Sequence, residues 1–461
     1  MRPPRCAAPD ATSALASTLR RHCTLLPLLV FLALAALPTC CAAPASSSTL
    51  AAAEAATTPA LPSLAAPGLP SNGLVSSGIH LGFLPNWSVE GPRDINAAMG
   101  AGMAAIGDYI NVSPTSPSFA QMDYHESEVV RVANSDVRAV YIPAVLFGGT
   151  LDQWTDDMSD ELAQKCAALN RRGVIVWVRW CFEMNGGWMP YGLDPDRYVS
   201  TFRRVHDAIR AVTNETYMLW APNVWSGDVG DSVQGYTPYW PGQEYVDVVG
   251  LSLYSFGPYK SINRAPSSSL FRDSFTSFYN LFAPSSNSSR ANPLGLTAAY
   301  PLVISETSAP YYYTIPPSSP YYTQAGDTDI ARPQPNLSTE ANRERYRPSL
   351  ADPPYEGSDD ELFVKASWLA QLTGNATAQR FPNLKLVNHF NYLKKGNGTA
   401  EVLSDFRIIG GNATVEQWVR DNFGNQTAYE QGYTGAASSL RALSSVALAG
   451  AGLVAALVLV A

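Results

Sequence analysis

The chain has 461 residues, 31 Lys+Arg against 39 Asp+Glu, and a net charge of −8. It has no basic run, which excludes a nucleic-acid binder, because phosphate contacts need clustered Lys and Arg. Only 15% of residues are charged, against roughly 25% in an average soluble protein, while 46% are hydrophobic and 11% aromatic. That excludes wholesale disorder and suits neutral ligands with apolar faces, such as sugars, that stack on aromatic rings.

At the N-terminus, Arg20-Arg21 precede an apolar run from Leu25 to Leu37 and small residues around Cys40 to Ala43. This pattern predicts a signal peptide over residues 1–42. An uncleaved signal-anchor helix is the alternative, but the run is short against the roughly 20 residues of a membrane span. Residues 43–77, rich in Ala, Ser, Thr and Pro, read as a stalk. At the other end, Gly435, Ala436 and Ala437 are followed by a polar spacer and an uncharged tail from Val446 to Ala461. Small site, spacer and terminal apolar tail predict attachment of a GPI anchor at Gly435, with 433–461 as the attachment signal and removed tail. A tail-anchored membrane protein is the alternative. Sequons at Asn86, Asn111, Asn214, Asn287, Asn336, Asn375, Asn397, Asn412 and Asn425 agree with a secreted glycoprotein at the cell surface. Cys166 and Cys181 are the two cysteines outside the leader, so one bridge between them is an open expectation in an oxidising compartment.

Between the ends, residues 78–432 read as one domain. Short β-branched apolar runs occur at Ile79–Leu84, Ala105–Val112, Ala139–Phe147, Val174–Phe182, Tyr217–Ala221, Val246–Tyr254, Leu302–Ile304 and Leu384–Phe390. Helical periodicity intervenes at Asp157–Asn170 and Asp194–Val212, the latter with Tyr198, Phe202, Val205, Ile209 and Val212 on one face. Eight strands alternating with helices predict an α/β protein, a (β/α)8 TIM barrel. Its long loops follow strands six and seven; the second, about 307–383, carries Pro310-Tyr311-Tyr312-Tyr313 and Pro320-Tyr321-Tyr322.

Barrel enzymes place catalytic groups at the C-terminal ends of strands. Glu183 ends the fourth run and Glu306 the seventh. Two such carboxylates are the minimal equipment for glycoside hydrolysis, one a general acid and the other an ionised nucleophile. Each alone reads more readily as a structural ion-pair partner; their pairing at strands four and seven favours catalysis. Asp108 follows the second strand as a further polar group at the barrel mouth. His80 and His389 read either as satisfied buried groups or as sugar contacts. No Gly-x-Ser-x-Gly elbow occurs, so a serine-hydrolase triad is not expected.

The stretch Arg179-Trp180-Cys181-Phe182-Glu183-Met184-Asn185-Gly186-Gly187-Trp188 resembles the Arg-x-x-His-Glu-Met-Asn-Gly-x-Trp signature of glycoside hydrolase family 26, the β-mannanase-type enzymes of clan A. Leu219-Trp-Ala-Pro-Asn223, Tyr239-Trp-Pro-Gly-Gln-Glu-Tyr-Val-Asp247, Tyr254 and Ile304-Ser-Glu306 match further blocks in the same order. The resemblance covers about residues 78–395. It implies that Glu183 is the acid/base and Glu306 the nucleophile, that Tyr254 and Arg179 steady Glu306, and that Asn185, Trp188, Asn223, Trp225 and His389 contribute to substrate binding. The sequence departs from the pattern at Phe182, where the family has His, at Ser252, where it has Asp, and at His389, where a Trp is usual. Loss of the ring nitrogen at 182 bears on mannan specificity, since both carboxylates remain. The expectation is a monomeric retaining glycoside hydrolase acting on a β-linked, mannan-like polysaccharide without metal or cofactor. A β-glucanase, a wall-remodelling transglycosylase and an inactive glycan-binding barrel are the alternatives.

Overall fold

The computed structural model describes residues 64–224, 234–257, 262–285, 291–322, 328–330, 334–335, 337, 339–348, 358–395 and 402–424. Eight parallel strands, β1 (Ile79–Pro85), β2 (Ala105–Val112), β3 (Val140–Phe147), β4 (Val176–Trp180), β5 (Thr216–Trp220), β6 (Val248–Ser252), β7 (Leu302–Thr307) and β8 (Leu384–Asn391), coincide with the eight apolar runs. Each pairs with the next, and β1 pairs with both β8 and β2, the latter at Phe83 opposite Ile106, so the sheet closes on itself. This is the expected (β/α)8 barrel.

Among the described residues, the longer helices that follow strands are α1 (Pro92–Met99), α2 (Ala120–Ala133), α3 (Asp156–Asn170), α4 (Pro195–Val212), α5 (Leu270–Phe282), α6 (Glu361–Thr373) and α7 (Ala413–Val419), with two short helices, Glu340–Arg345 and Asn375–Arg380, also after β7. Between β5 and β6 the described residues form only two single 3-10 turns. The helix starts follow capping chemistry: Thr155, Asp194, Asp360 and Asn412 each accept a backbone N–H of the first turn. Asp194 therefore stands just outside α4, with Pro195 as its first residue.

Strand alternation separates two apolar layers. On β4, Val176, Val178 and Trp180 pack outward under the helices, while Trp177 joins Ala105, Ile142, Leu219, Val248, Val303 and Leu386 inside the barrel. Residues 64–77 were expected within the stalk. The described part instead plugs and edges the barrel. Trp177 Nε1–H donates to the Pro67 carbonyl at 2.8 Å, Ala66 and Leu69 pack on the inner layer, and Val75–Ser76 pairs antiparallel with β1. Burial of the large Trp177 ring needs a cover at the barrel base, and this segment supplies it.

The Tyr-rich loop after β7 is partly regular. Tyr311–Thr314, Val402–Asp405, Leu393–Lys395 and Thr328–Asp329 form a second, four-stranded antiparallel sheet. Cys166 and Cys181 are separate, fully buried thiols, which corrects the expected bridge. Among the described residues no helix is long and apolar enough to cross a membrane. The leader, the rest of the stalk and the C-terminal tail with Gly435 lie outside the described residues.

Candidate active site

Where β4 ends, the backbone leaves the strand through two left-handed residues, Cys181 (φ 41°) and Glu183 (φ 56°). Non-glycine residues hold this conformation only where surroundings over-determine it. Here Cys181 N–H donates to the Val145 carbonyl at 3.1 Å, Glu183 N–H to Ala221 O at 2.8 Å, and Tyr191 OH to Phe182 O at 2.9 Å. The result turns the Glu183 carboxyl over the barrel mouth. Trp188 Nε1–H donates to Glu183 Oε2 at 2.7 Å. Its ring lies on Gly186, where an added Cβ would meet it at 2.3 Å, so any larger residue there would displace the ring.

Glu306 reaches the same mouth by another device. On β7, Val303 faces the barrel interior and Ile304 the helices, which alone would turn Glu306 outward. Both neighbours record a register shift here: between Leu251 and Ser252 on β6, and between Val387 and His389 on β8. A bulge inserts one residue and re-aims the side chains beyond it. Glu306 therefore faces inward. Arg179 Nη1–H donates to Glu306 Oε2 at 2.5 Å, its Nη2–H to Ser252 Oγ at 2.6 Å, and Tyr254 OH to Glu306 Oε1 at 2.6 Å. The guanidinium lies 4.0 Å over the Phe182 ring, a cation–π contact of the kind worth about 0.5–2 kcal/mol.

The two carboxyls therefore differ in environment. Burial raises the pKa of Glu183 above the usual carboxyl value, and the nearby charge of Glu306 raises it further; Arg179, Ser252 and Trp188 oppose the shift. Glu306 has a buried cation and a phenol as direct partners. Burial lifts Tyr254 and Tyr109 well above the ordinary phenol pKa, and the charge of Glu306 adds to this, so both remain hydrogen-bond donors. Arg179 is pulled down by burial and lifted more by Glu306, Tyr109 and Glu183, so it stays charged.

Both glutamates line one cleft of about 820 Å³, within the usual range for ligand sites. Trp188, Asn223 and Tyr254 line it too. Arg179 lies beneath its floor, 1% exposed. Asn185 is placed behind the wall. Its Nδ2–H donates to Asn223 O at 2.9 Å and its Oδ1 accepts Asn223 N–H at 2.8 Å, so it ties the β4 loop to the β5 loop. His389 does not reach the cleft. It faces out from β8, 1% exposed, with Nε2 3.0 Å from Phe406 O, and burial drives its pKa down to about 3. Its neighbour Phe390 lines the cleft instead. Trp225 lies outside the described residues. His80 is half-buried on β1, where burial lowers its pKa. Asp108 lines the cleft and takes the Tyr141 hydroxyl and His125 Nδ1, each at 2.7 Å.

Among the sequons, Asn111 and Asn214 are exposed and Asn375 and Asn412 half-buried, the last capping α7 and donating to Glu361. Asn86 is 5% exposed in the cleft wall. Asn287, Asn336, Asn397 and Asn425 lie outside the described residues. Several cleft residues had no functional reading in the sequence: Trp87, Tyr109, Phe256, Tyr312, Tyr392 and Phe406. The aromatic excess was their only trace.

Residues 123–322 match the profile of glycosyl hydrolase family 26. A mannan endo-1,4-beta-mannosidase of Bacillus subtilis is 28% identical over 160 residues, 32% of this chain and 41% of that protein. A beta-1,3-xylanase of Alcaligenes sp is 25% identical over 176 residues, 36% of this chain and 36% of that protein. The chain thus spans about two fifths or less of the length of these curated relatives. Among solved structures, a modular endo-beta-1,4-mannanase from Cellulomonas fimi aligns with a TM-score of 0.43 at 15% identity, covering 74% of this chain and 70% of that one.

Proposed function

We propose that this chain, whose residues 123–322 match the profile of glycosyl hydrolase family 26, is a retaining glycosidase acting on a β-linked, mannan-like polysaccharide. The observation that carries the reading is the division of labour between two carboxyls in one cleft. Glu306 is bonded by Arg179 and Tyr254, while burial and the charge of Glu306 push the pKa of Glu183 up. A carboxyl pushed up by burial beside a second carboxyl held by a buried cation is the pairing of an acid and a nucleophile.

In the first step Glu306 attacks the anomeric carbon, and Glu183 gives its proton to the departing glycosidic oxygen. The C–O bond to the leaving sugar breaks and an ester to Glu306 forms. In the second step Glu183, now a carboxylate, takes a proton from water, which displaces Glu306 at the anomeric carbon. Two inversions return the original configuration. Phe182 stands in the cleft wall where the family pattern has a polar ring, which supports poorer action on plain mannan than that of family members that keep the His.

The stereochemistry of azide products tests the roles. Glu183→Ala with an activated aryl β-glycoside and azide should yield the β-azide, because the covalent step survives without acid assistance. Glu306→Ala should yield the α-azide by direct attack on the vacated face. The same azide configuration from both variants, or full activity of either, would overturn the assignment.

We further propose that the protein is a secreted, GPI-anchored monomer at the cell surface. The leader pattern, the sequons and the small-site, spacer and tail order after Gly435 support this. Phosphatidylinositol-specific phospholipase C should release it from expressing cells. Retention beside a released control would favour a transmembrane tail.

A further inference from the structure

The second sheet has one side-chain row that points into the cleft. Asp329 stands opposite Lys394, Lys394 opposite Ser404, and Ser404 opposite Tyr312, so all four share one face. All four line the cleft. The neighbouring row, Leu393, Asp405 and Tyr311, belongs to the opposite face and does not line the cleft; within the cleft row Ser404 and Tyr312 are themselves buried and Asp329 is exposed. Polar groups occur on both faces: opposite the cleft row by register, Lys395 donates to the Tyr322 carbonyl at 3.0 Å and Asp405 pairs with Arg407 at 2.7 Å, while Asp329, Lys394 and Ser404 are on the cleft side.

Two further contacts place this row. Lys394 Nζ lies 3.6 Å from Asp329 Oδ1 and 6.0 Å from the centroid of the Phe390 ring. Phe390 and Tyr392 stack at 4.2 Å with an angle of 7° between planes. Phe390 also meets the Tyr254 ring, whose hydroxyl holds Glu306. Thus Tyr254 and Phe390 stand between the nucleophile and Lys394, and the charged row lies further along the same cleft.

We infer that this row is a distal subsite for a neutral, hydroxyl-bearing sugar of the glycan chain. The inference rests on the glycosidase reading above and extends its site. An aromatic pair beside the row suits the apolar face of a pyranose. An ammonium donor beside a carboxylate acceptor matches a vicinal diol, one hydroxyl accepting from Lys394 and the other donating to Asp329. Ser404 adds a hydroxyl along the row, while the Tyr312 hydroxyl donates to the Phe256 carbonyl at 3.2 Å and fixes the end of the row. The Asp329 charge offsets that of Lys394, which favours a neutral sugar over an acidic one. The subsite makes the protein a reader of chain length, binding long glycan segments more tightly than short ones.

Titration calorimetry in the Glu306→Gln background, where turnover is blocked, reads this directly. The probes are β-1,4-mannohexaose, β-1,4-mannobiose and β-1,4-xylohexaose. One hexaose should bind at least tenfold more tightly than the disaccharide. Lys394→Met, which keeps the aliphatic stem, and Asp329→Asn should each cut that hexaose-to-disaccharide ratio about tenfold, as loss of a hydrogen bond to a charged group does. Unchanged near-ultraviolet circular dichroism shows that the sheet is folded in each variant. The inference is overturned if neither hexaose binds, if the ratio is unchanged in either folded variant, or if Asp329→Asn tightens binding. The last outcome would show that Asp329 merely masks a lysine suited to an acidic substituent. A lack of glycosidase activity in the unmodified protein would refute the catalytic reading and leave this binding result standing by itself.

Discussion

On the proposed roles, removing the guanidinium beneath the cleft should disable Glu306 as nucleophile. Arg179 is 1% exposed and Glu306 9% by side chain, and their contact is 2.5 Å. Breaking a buried pair from one side costs about 3–5 kcal/mol, because the other charge is left uncompensated. If that loss falls on the transition state, Arg179→Met lowers kcat/KM by roughly 10²–10⁴-fold. Arg179→Lys keeps the charge but cannot reproduce the fork to both Glu306 and Ser252, so its activity should fall between the two. Thermal unfolding gives an independent reading of the same pair. Glu306→Gln strands a buried guanidinium, so adding Arg179→Met to it should raise Tm above that of Glu306→Gln alone. The reasoning is refuted if Arg179→Met stays within tenfold of the unmodified enzyme, or if the two substitutions destabilise additively.

Trp188→Phe removes a hydrogen bond that favours the ionised form of Glu183. The already raised pKa of Glu183 should rise further, and the alkaline limb of kcat/KM should move to higher pH; a shift to lower pH would contradict the acid role. Because folding raises the Glu183 pKa, its protonated state adds stability at low pH that is lost as pH rises through the folded value. Glu183→Gln should therefore raise Tm more at pH 8 than at pH 4; an equal change at both would refute the linkage. Phe182→His places a polar ring where the phenyl now meets Arg179. Relative kcat/KM on mannan against other β-glycans should change, and identical ratios would show that position 182 does not set specificity.

The barrel was readable because its strands are continuous β-branched runs, the mark of strands covered by helices. Both glutamates were readable because they end such runs. The route by which Glu306 turns inward was not, since a bulge adds a residue without changing the composition. His389 shows a parity error that the sequence could have resolved. Leu386 faces the barrel interior and Val387 the helices, so Phe390 shares the inner face and His389 the outer. Tyr311-Tyr312-Tyr313 read as loop because a strand of four residues has too short a period to register. In the second sheet all three are buried, and only Tyr312 is turned to the cleft side. Residues 64–77 have the composition of a stalk, and it is the space under Trp177 and the free edge of β1, neither visible in composition, that lead them to pack.

The central claim is that Glu306 forms a covalent bond to sugar. A 2-deoxy-2-fluoro β-glycoside with a dinitrophenolate leaving group, matched to the best-cleaved glycan, slows breakdown of such an ester enough to weigh it. Intact mass spectrometry should show one added fluoroglycosyl group, and peptide mapping should place it on Glu306. Label on any other residue, or a cleaved substrate whose product has inverted configuration with no adduct, would contradict the account.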